Sequence, residues 1–234
     1  MSNNFNNKPH RRLNILTGEW ILVSPHRTKR PWQGKTEKSA TTDLPVYDPS
    51  CYLCPTNERM GGGVNPNYDK PYSFVNDFSA LLPDVEEETF KNGLLYAESE
   101  SGICKVVCFS PNHALTIPLM SVSDITAVIS LWQKEYRELG SKEAINHVQI
   151  FENKGDIMGC SNPHPHGQIW AQNKIPQELQ KKIGHLKAYW EKHKRSILEV
   201  YIEQELKLDE RIIVENEHFV ALIPYWAVWP YETM

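Results

Sequence analysis

The sequence carries no surplus of positive charge. Its formal net charge is −4, from 25 Lys and Arg against 29 Asp and Glu, whereas a general nucleic-acid binder is usually basic. It has no apolar run long enough to span a membrane, and its start has no basic-then-apolar leader. Cysteine is sparse: five residues, an odd count. Without a secretion signal these read as reduced thiols in a cytoplasmic setting, not as a disulfide framework. No internal sequence repeat stands out. What is present suits a globular protein with a real core: 234 residues, 40% hydrophobic and 10% aromatic. That length fits one large domain or one and a half ordinary ones. Residues 1–8 are polar and asparagine-rich, and read as a disordered lead-in.

The richest stretch is Asn162-Pro163-His164-Pro165-His166-Gly167-Gln168. An extended segment sends alternate side chains to one face. His164, His166 and Gln168 would then project as one row of imidazole, imidazole and amide. Pro163 and Pro165 cannot donate a ladder hydrogen bond, which puts the segment at a sheet edge or a strand start. Imidazole is both a metal ligand and a nucleophile near neutral pH. A single histidine is usually structural or solvated. Two on one face, flanked by proline and glycine, make a functional site a serious reading.

Short β-type runs recur at residues 19–24, 104–110, 113–118, 147–152, 168–172, 211–215 and 219–223, mostly bounded by Gly, Pro or Asn. Two helices stand out. The first covers 121–139, opens with Ser121 and Asp124 as a cap, and sets Ile125, Val128, Ile129, Trp132 and Leu139 close to one stripe before Gly140. The second covers 177–206 as one long charged helix. Its stripe of Leu179, Ile183, Leu186, Trp190, Ile197, Tyr201 and Ile202 would pack across a sheet. Residues 35–49 and 61–71 read as loops. Strands dominate and only some are separated by helices, so the fold class is α+β with a mainly antiparallel sheet.

Cys51 and Cys54 form a CxxC pair. That spacing commonly supplies two thiolates to tetrahedral zinc. The rival is a thioredoxin-like redox pair, but no βαβ pattern surrounds it. Spacing alone leaves both open, and zinc needs two further ligands. Cys104 and Cys108 read as core residues on a strand.

The run from Gly159 to Trp170, with Phe151-Glu152-Asn153-Lys154-Gly155 before it, resembles the active-site segment of the galactose-1-phosphate uridylyltransferases. These are the transferase branch of the histidine-triad superfamily. Gln168 stands where the hydrolase branch has a third histidine. Further agreeing stretches are Pro9-His10-Arg11-Arg12, Leu16-Thr17-Gly18-Glu19-Trp20, Ser24-Pro25-His26-Arg27, Lys29-Arg30-Pro31-Trp32 and Val75-Asn76-Asp77-Phe78. The resemblance extends from about Pro9 to the last residue.

The resemblance implies a histidine-triad-like domain over 1–176 and the start of a second, related half over 177–234. It implies one structural zinc held by Cys51, Cys54, His113 and His164, fixing the backbone beside His166. The family's second metal site uses a glutamate where Lys182 stands here, so no second metal is expected. It implies exchange of UMP between UDP-glucose and galactose 1-phosphate, with His166 as nucleophile. Gln168 and Ser161 would donate to phosphate oxygens, and Arg27 and Arg30 would bind phosphate. Asn76, Asp77 and Phe78 would hold uracil and ribose. Asn153, Gly159 and Cys160 would line the nucleotide phosphates. Read without the resemblance, Arg27 and Arg30 are surface cations, Asn76-Asp77 is a turn and Cys160 is a small buried hydrophobe. The partners implied are UDP-glucose, UDP-galactose and hexose 1-phosphates, with a homodimer for the full-length protein and neither nucleic acid nor membrane. The chain closes on an apolar, aromatic stretch, residues 218–234, where termini are normally polar. Family members continue beyond this point, so the expectation is a truncated or partial chain, the alternative being a natural short form whose aromatic end packs on its own core. The competing readings are another histidine-triad nucleotide phosphorylase or hydrolase, and a zinc-stabilised nucleotide-binding module or inactive fragment.

Overall fold

The computed structural model describes residues 5, 7–29, 31, 44–155, 158–160 and 162–234. In chain order the elements are β1 (His10–Leu13), β2 (Trp20–Val23), β3 (Tyr72–Val75), β4 (Thr89–Asn92), β5 (Leu95–Glu98), β6 (Gly102–Cys108), α1 (Val122–Gly140), β7 (His147–Phe151), β8 (His166–Gln172), α2 (Gln177–His193), α3 (Ile197–Leu208), β9 (Ile212–Glu215) and β10 (Val220–Leu222). Every strand pair is antiparallel, and the α+β reading holds. The chain divides into two compact units, Lys38–Ile175 and Met1–Glu37 with Pro176–Met234.

In the first of these units a four-stranded sheet runs in the order β3-β6-β8-β7. Its two faces have different tasks because successive strand residues alternate between them. On one face Val107 of β6 with Ile169 and Ala171 of β8 pack against Val128 and Leu139 of α1, joined by Phe109 and Met120. Each large side chain fully buried there contributes roughly 1.5–3 kcal/mol. On the other face Phe74, Val106 and Cys108 pack against Cys51, Leu53 and Cys54. That second core holds the CxxC loop to the sheet. Cys104 and Cys108 are fully buried on β6, as their sequence context suggested.

Helix α1 starts as expected: the Ser121 hydroxyl accepts from the Asp124 amide. Its buried stripe differs at two positions. Ile129 is exposed, and Glu135 is buried. The reason is a partner on the sheet. Lys105 on β6 donates to both Glu135 carboxylate oxygens at 2.6 Å, and Ser73 of β3 donates to the same carboxylate. A buried charge is tolerable only when paired in this way.

Two further expectations are corrected, and one is decided between its two alternatives. Residues 113–118 form no strand: Ser110 accepts from the Asn112 amide and Asn112 from the Ala114 amide, so side-chain turns replace the ladder. The segment then ends in a short 3-10 turn, Ile117–Leu119. Strand β8 is no edge strand, because β6 and β7 flank it on both sides. The prolines instead stop just short of its start, the other position open to them. The helix expected over 177–206 is two. Lys194 adopts a left-handed conformation, φ +56°, and closes α2. Ser196 then caps α3 by accepting from the Glu199 amide. No described residue of α2 is buried, so its apolar residues pack across no sheet in the way expected. Strands β1 and β3 and the hairpin β4–β5 were not anticipated. The loop expected over 61–71 is present, with one bridge between Glu58 and Val64. Most of the lead-in and most of the 35–49 loop lie outside the described residues.

In the other unit, Tyr201 of α3 packs with Leu222 and Trp226, backed by Ile15, Leu16 and Ile21 from the N-terminal hairpin. A buried Glu205 is bound through both oxygens by Arg211, at 2.9 and 3.0 Å.

Candidate active site and metal-binding cluster

Four side chains converge behind the start of β8. Cys51, Cys54, His113 and His164 are all buried, and their ligand atoms lie within 4.8 Å of one another. Cys54 Sγ is 3.5 Å from His164 Nδ1 and 3.6 Å from His113 Nδ1. Cys51 Sγ is 3.8 Å from His164 Nδ1. The opposite ring nitrogen of His164, Nε2, is 2.9 Å from the Ser110 carbonyl. A carbonyl only accepts, so Nε2 carries the proton and the Nδ1 lone pair faces the sulfurs. This is how a metal-binding histidine is usually oriented. Burial pulls the His164 imidazole down to about 4, which keeps it neutral at physiological pH. Burial also pushes the Cys54 thiol up to about 11. The group could hold a metal ion, and a cation would have to displace the Cys54 proton to bind.

The cluster forms because distant segments are tied to the same place. Asn57 donates to the Asp48 and Cys51 carbonyls at 2.9 and 2.8 Å, and Asn65 to the Tyr52 and Cys54 carbonyls at 3.0 Å. These bonds shape the CxxC loop. The His113 amide donates to the Val46 carbonyl. Asn162 accepts from the His164 amide at 2.9 Å and sits 3.6 Å from Cys51 Sγ. Nothing about Asn162 stood out beforehand except its position before a proline. The Ser110 carbonyl had no signal at all.

Two residues after His164 the chain enters β8. His166 Nδ1 is 2.7 Å from the His164 carbonyl. By the same argument Nδ1 holds the proton, and Nε2 of the neutral ring keeps a free lone pair. His166 is half-buried, as are Gln168 and Trp170 two and four residues later. The three share one face, while Gly167, Ile169 and Ala171 are buried on the other. Gly167 is required by close approach: a Cβ there would stand 2.9 Å from the Phe109 ring and from the Phe151 carbonyl. The row of His166 and Gln168 is therefore real. His164 differs from them in being wholly buried in the cysteine cluster.

The Asn76–Phe78 segment continues from β3. The Asn76 amide donates to the Cys104 carbonyl on β6, and Cys104 is paired with Trp170 on β8. Asn76 Oδ1 accepts from the Phe78 amide, giving the turn that the dipeptide suggested. Asp77 lies 3.7 Å from Arg59 and accepts weakly from the Gly61 amide. Phe78 is exposed at the rim of a cavity of about 400 Å³ lined by Val75, Asn76, Asp77, Leu82 and Ile103. Gly159 has φ +78°, and the Cys160 amide donates to the Gly155 carbonyl. Cys160 is half-buried, with its thiol donating to the Asn162 carbonyl. Asn153 is half-buried beyond the end of β7. Arg27 is exposed on a 3-10 turn, Pro25–Lys29, of the other unit. Arg30 and Ser161 lie outside the described residues.

Residues 1–176 match the family model described as galactose-1-phosphate uridyl transferase, N-terminal domain, and residues 182–234 match the model of its C-terminal domain. The chain belongs to the galactose-1-phosphate uridylyltransferase family. It is 52% identical to the galactose-1-phosphate uridylyltransferase of Haemophilus influenzae, over 97% of this chain and 64% of that one. It is 46% identical to the enzyme of the same name from Saccharomyces cerevisiae, over 98% of this chain and 66% of that one. The chain thus spans just under two thirds of the length of these relatives. Among solved structures it is similar to a uridylyltransferase, with TM-score 0.68 and 23% identity over 95% of this chain and 64% of that one. It is also similar to an ADP-glucose phosphorylase from Arabidopsis thaliana solved with ADP-glucose, with TM-score 0.67 and 24% identity over 97% of this chain and 67% of that one. At those identities the likeness speaks to the fold alone. Among the described residues no helix is long and apolar enough to cross a membrane.

Proposed function

We propose that this chain carries the uridylyl-accepting centre of a transferase that exchanges UMP between UDP-glucose and galactose 1-phosphate. In the first step Nε2 of His166 attacks the α-phosphorus of UDP-glucose. The N–P bond forms as the bond from phosphorus to the bridging oxygen breaks, and glucose 1-phosphate leaves with the electron pair. In the second step an oxygen of galactose 1-phosphate attacks the same phosphorus, the N–P bond breaks, and UDP-galactose departs. Imidazole suits both steps, being a good nucleophile and a good leaving group. The observation that carries the reading is the 2.7 Å bond from Nδ1 of His166 to the His164 carbonyl. It leaves Nε2 as the attacking atom, and it offsets the positive charge that the ring acquires on attack.

The roles of the other residues belong to the same reading. Gln168 and Ser161 donate to the non-bridging phosphate oxygens, where negative charge develops. Arg27 and Arg30 bind phosphate with planar donors. Asn76, Asp77 and Phe78 hold the uridine, consistent with an exposed ring and a carboxylate at one cavity. Asn153, Gly159 and Cys160 line the phosphates. We assign residues 1–176 to the N-terminal domain and 177–234 to the beginning of the second, with a homodimer for the complete protein.

The metal is proposed to be zinc. A zinc tetrahedron with Zn–S of about 2.3 Å and Zn–N of about 2.1 Å has a sulfur-to-nitrogen edge of about 3.6 Å. The separations here, 3.5, 3.6 and 3.8 Å, agree with it. When bound, the ion supplies rigidity: it anchors His164, whose carbonyl orients His166. It need not touch substrate to do so. Five free cysteines favour a reducing, cytoplasmic setting. The test is isotope exchange. Labelled glucose 1-phosphate and UDP-glucose should exchange label on this chain without any galactose. Absence of exchange, with UDP still bound, would favour a nucleotide-binding module instead.

A further inference from the structure

We infer that Trp170 is a positioning residue, one that sets the orientation of the Gln168 amide. The inference rests on the transferase reading above and adds a residue to it. A primary amide has two orientations of nearly the same shape. One presents NH₂ to a bound phosphate, and the other presents a carbonyl oxygen that the anion repels. Gln168 is useful only in the first.

Trp170 decides between them. Its indole Nε1 is 3.1 Å from Oε1 of Gln168. An indole N–H donates and cannot accept, so the amide atom facing it must be the oxygen. The NH₂ group is left as the free donor of the pair, on the His166 face of β8. Among the described residues the NH₂ group of Gln168 has no hydrogen-bond acceptor of its own, the Trp170 bond being to Oε1. Residues 166, 168 and 170 alternate onto that face, so nucleophile, donor and orienting group form one row.

The indole is itself held. Trp170 is paired with Cys104 on β6 and Gln149 on β7, and Cys104 is fully buried. The Phe151 ring meets the indole edge-on, with centroids 5.9 Å apart and planes at 71°. This edge-on contact with the last residue of β7 favours the ring orientation that aims the N–H at Gln168. The donor is therefore supplied by a rigid strand, where reorganisation during the reaction is small.

The test is a double-mutant cycle on single-turnover uridylylation, followed by mass spectrometry after mixing with UDP-glucose. The chains are the parent, Trp170→Phe, Gln168→Ala and the double variant. Trp170→Phe keeps an aromatic ring against Phe151 and loses the N–H. It should slow uridylylation about three- to ten-fold, the worth of one neutral hydrogen bond. Metal content should stay unchanged, because Trp170 touches none of the four cluster residues. In the Gln168→Ala background the same substitution should change the rate by less than about 1.5-fold. Equal slowing in both backgrounds would overturn the inference and make Trp170 a packing residue. No slowing in the parent background would overturn it as well. If Trp170→Phe does not fold, 3-benzothienylalanine at position 170 replaces N–H by sulfur with the ring shape kept, and the same outcomes apply. A parent chain that gains no uridylyl group overturns the transferase reading together with this one, and that result is distinct from additivity in the cycle.

Discussion

Replacing Gly167 by alanine should damage the protein although it adds one methyl group. In a strand such a change would ordinarily help, because glycine costs conformational entropy. Here the new Cβ would stand 2.9 Å from both the Phe109 ring and the Phe151 carbonyl. The carbonyl belongs to the neighbouring strand β7, so it cannot swing aside as a side chain end could. Phe109 is fully buried and packs edge-on against Trp132, so it has no room to yield. Overpacking of this kind costs about 1–3 kcal/mol. Taking about 2 kcal/mol, the melting midpoint should fall by about 4–8 °C. Thermal unfolding by circular dichroism reads this directly. Gly184→Ala on exposed helix α2, where nothing lies within 4 Å of the new methyl group, is the control and should hold or raise the midpoint. Because Gly167 lies between His166 and Gln168, uridylylation should slow as well. A Gly167→Ala protein as stable as the parent would refute the close approach of β8 to Phe109 and β7.

Two further outcomes follow from buried polar groups. Glu135→Leu leaves Lys105 unpaired beneath α1 and should cost about 3–5 kcal/mol in denaturant unfolding, whereas adding Lys105→Met should recover most of it; equal stability of the single variant and the parent would contradict the pair's burial. At the metal cluster, burial holds the Cys54 thiol near 11, so it is protonated at neutral pH before a cation binds. Zinc binding to chelator-treated protein should therefore release protons, detected as a buffer-dependent heat, and its affinity should rise with pH between 6 and 8 by about tenfold per unit for each proton released. An affinity independent of pH, or unchanged in Cys54→Ser, would contradict the assignment of these ligands.

Parts of this architecture were legible and parts were hidden for physical reasons. The CxxC pair and the alternation from His166 to Gln168 are local patterns, and local patterns survive in one dimension. The other two ligands of the cluster, His113 and His164, were suggested by family resemblance and not by spacing. The Glu135–Lys105 pair joins residues that are thirty positions apart, and no periodicity could reveal it. Other local signals mark where elements start and turn. Ser196 and Glu199 make the S-x-x-E pattern that starts a new helix, which is where the long helix breaks. Gly93, at φ +60°, opens the two-residue turn of the β4–β5 hairpin. The central position of β8 followed from neither proline, because Pro163 and Pro165 speak only to the residues before it.

The central claim is that His166 becomes covalently uridylylated. Intact mass spectrometry on the parent chain and on His166→Ala, before and after mixing with UDP-glucose, tests it most directly. The account predicts a gain of one uridylyl group on the parent and none on the variant. A parent chain that binds UDP yet gains no mass, or a variant that gains the same mass, would contradict it.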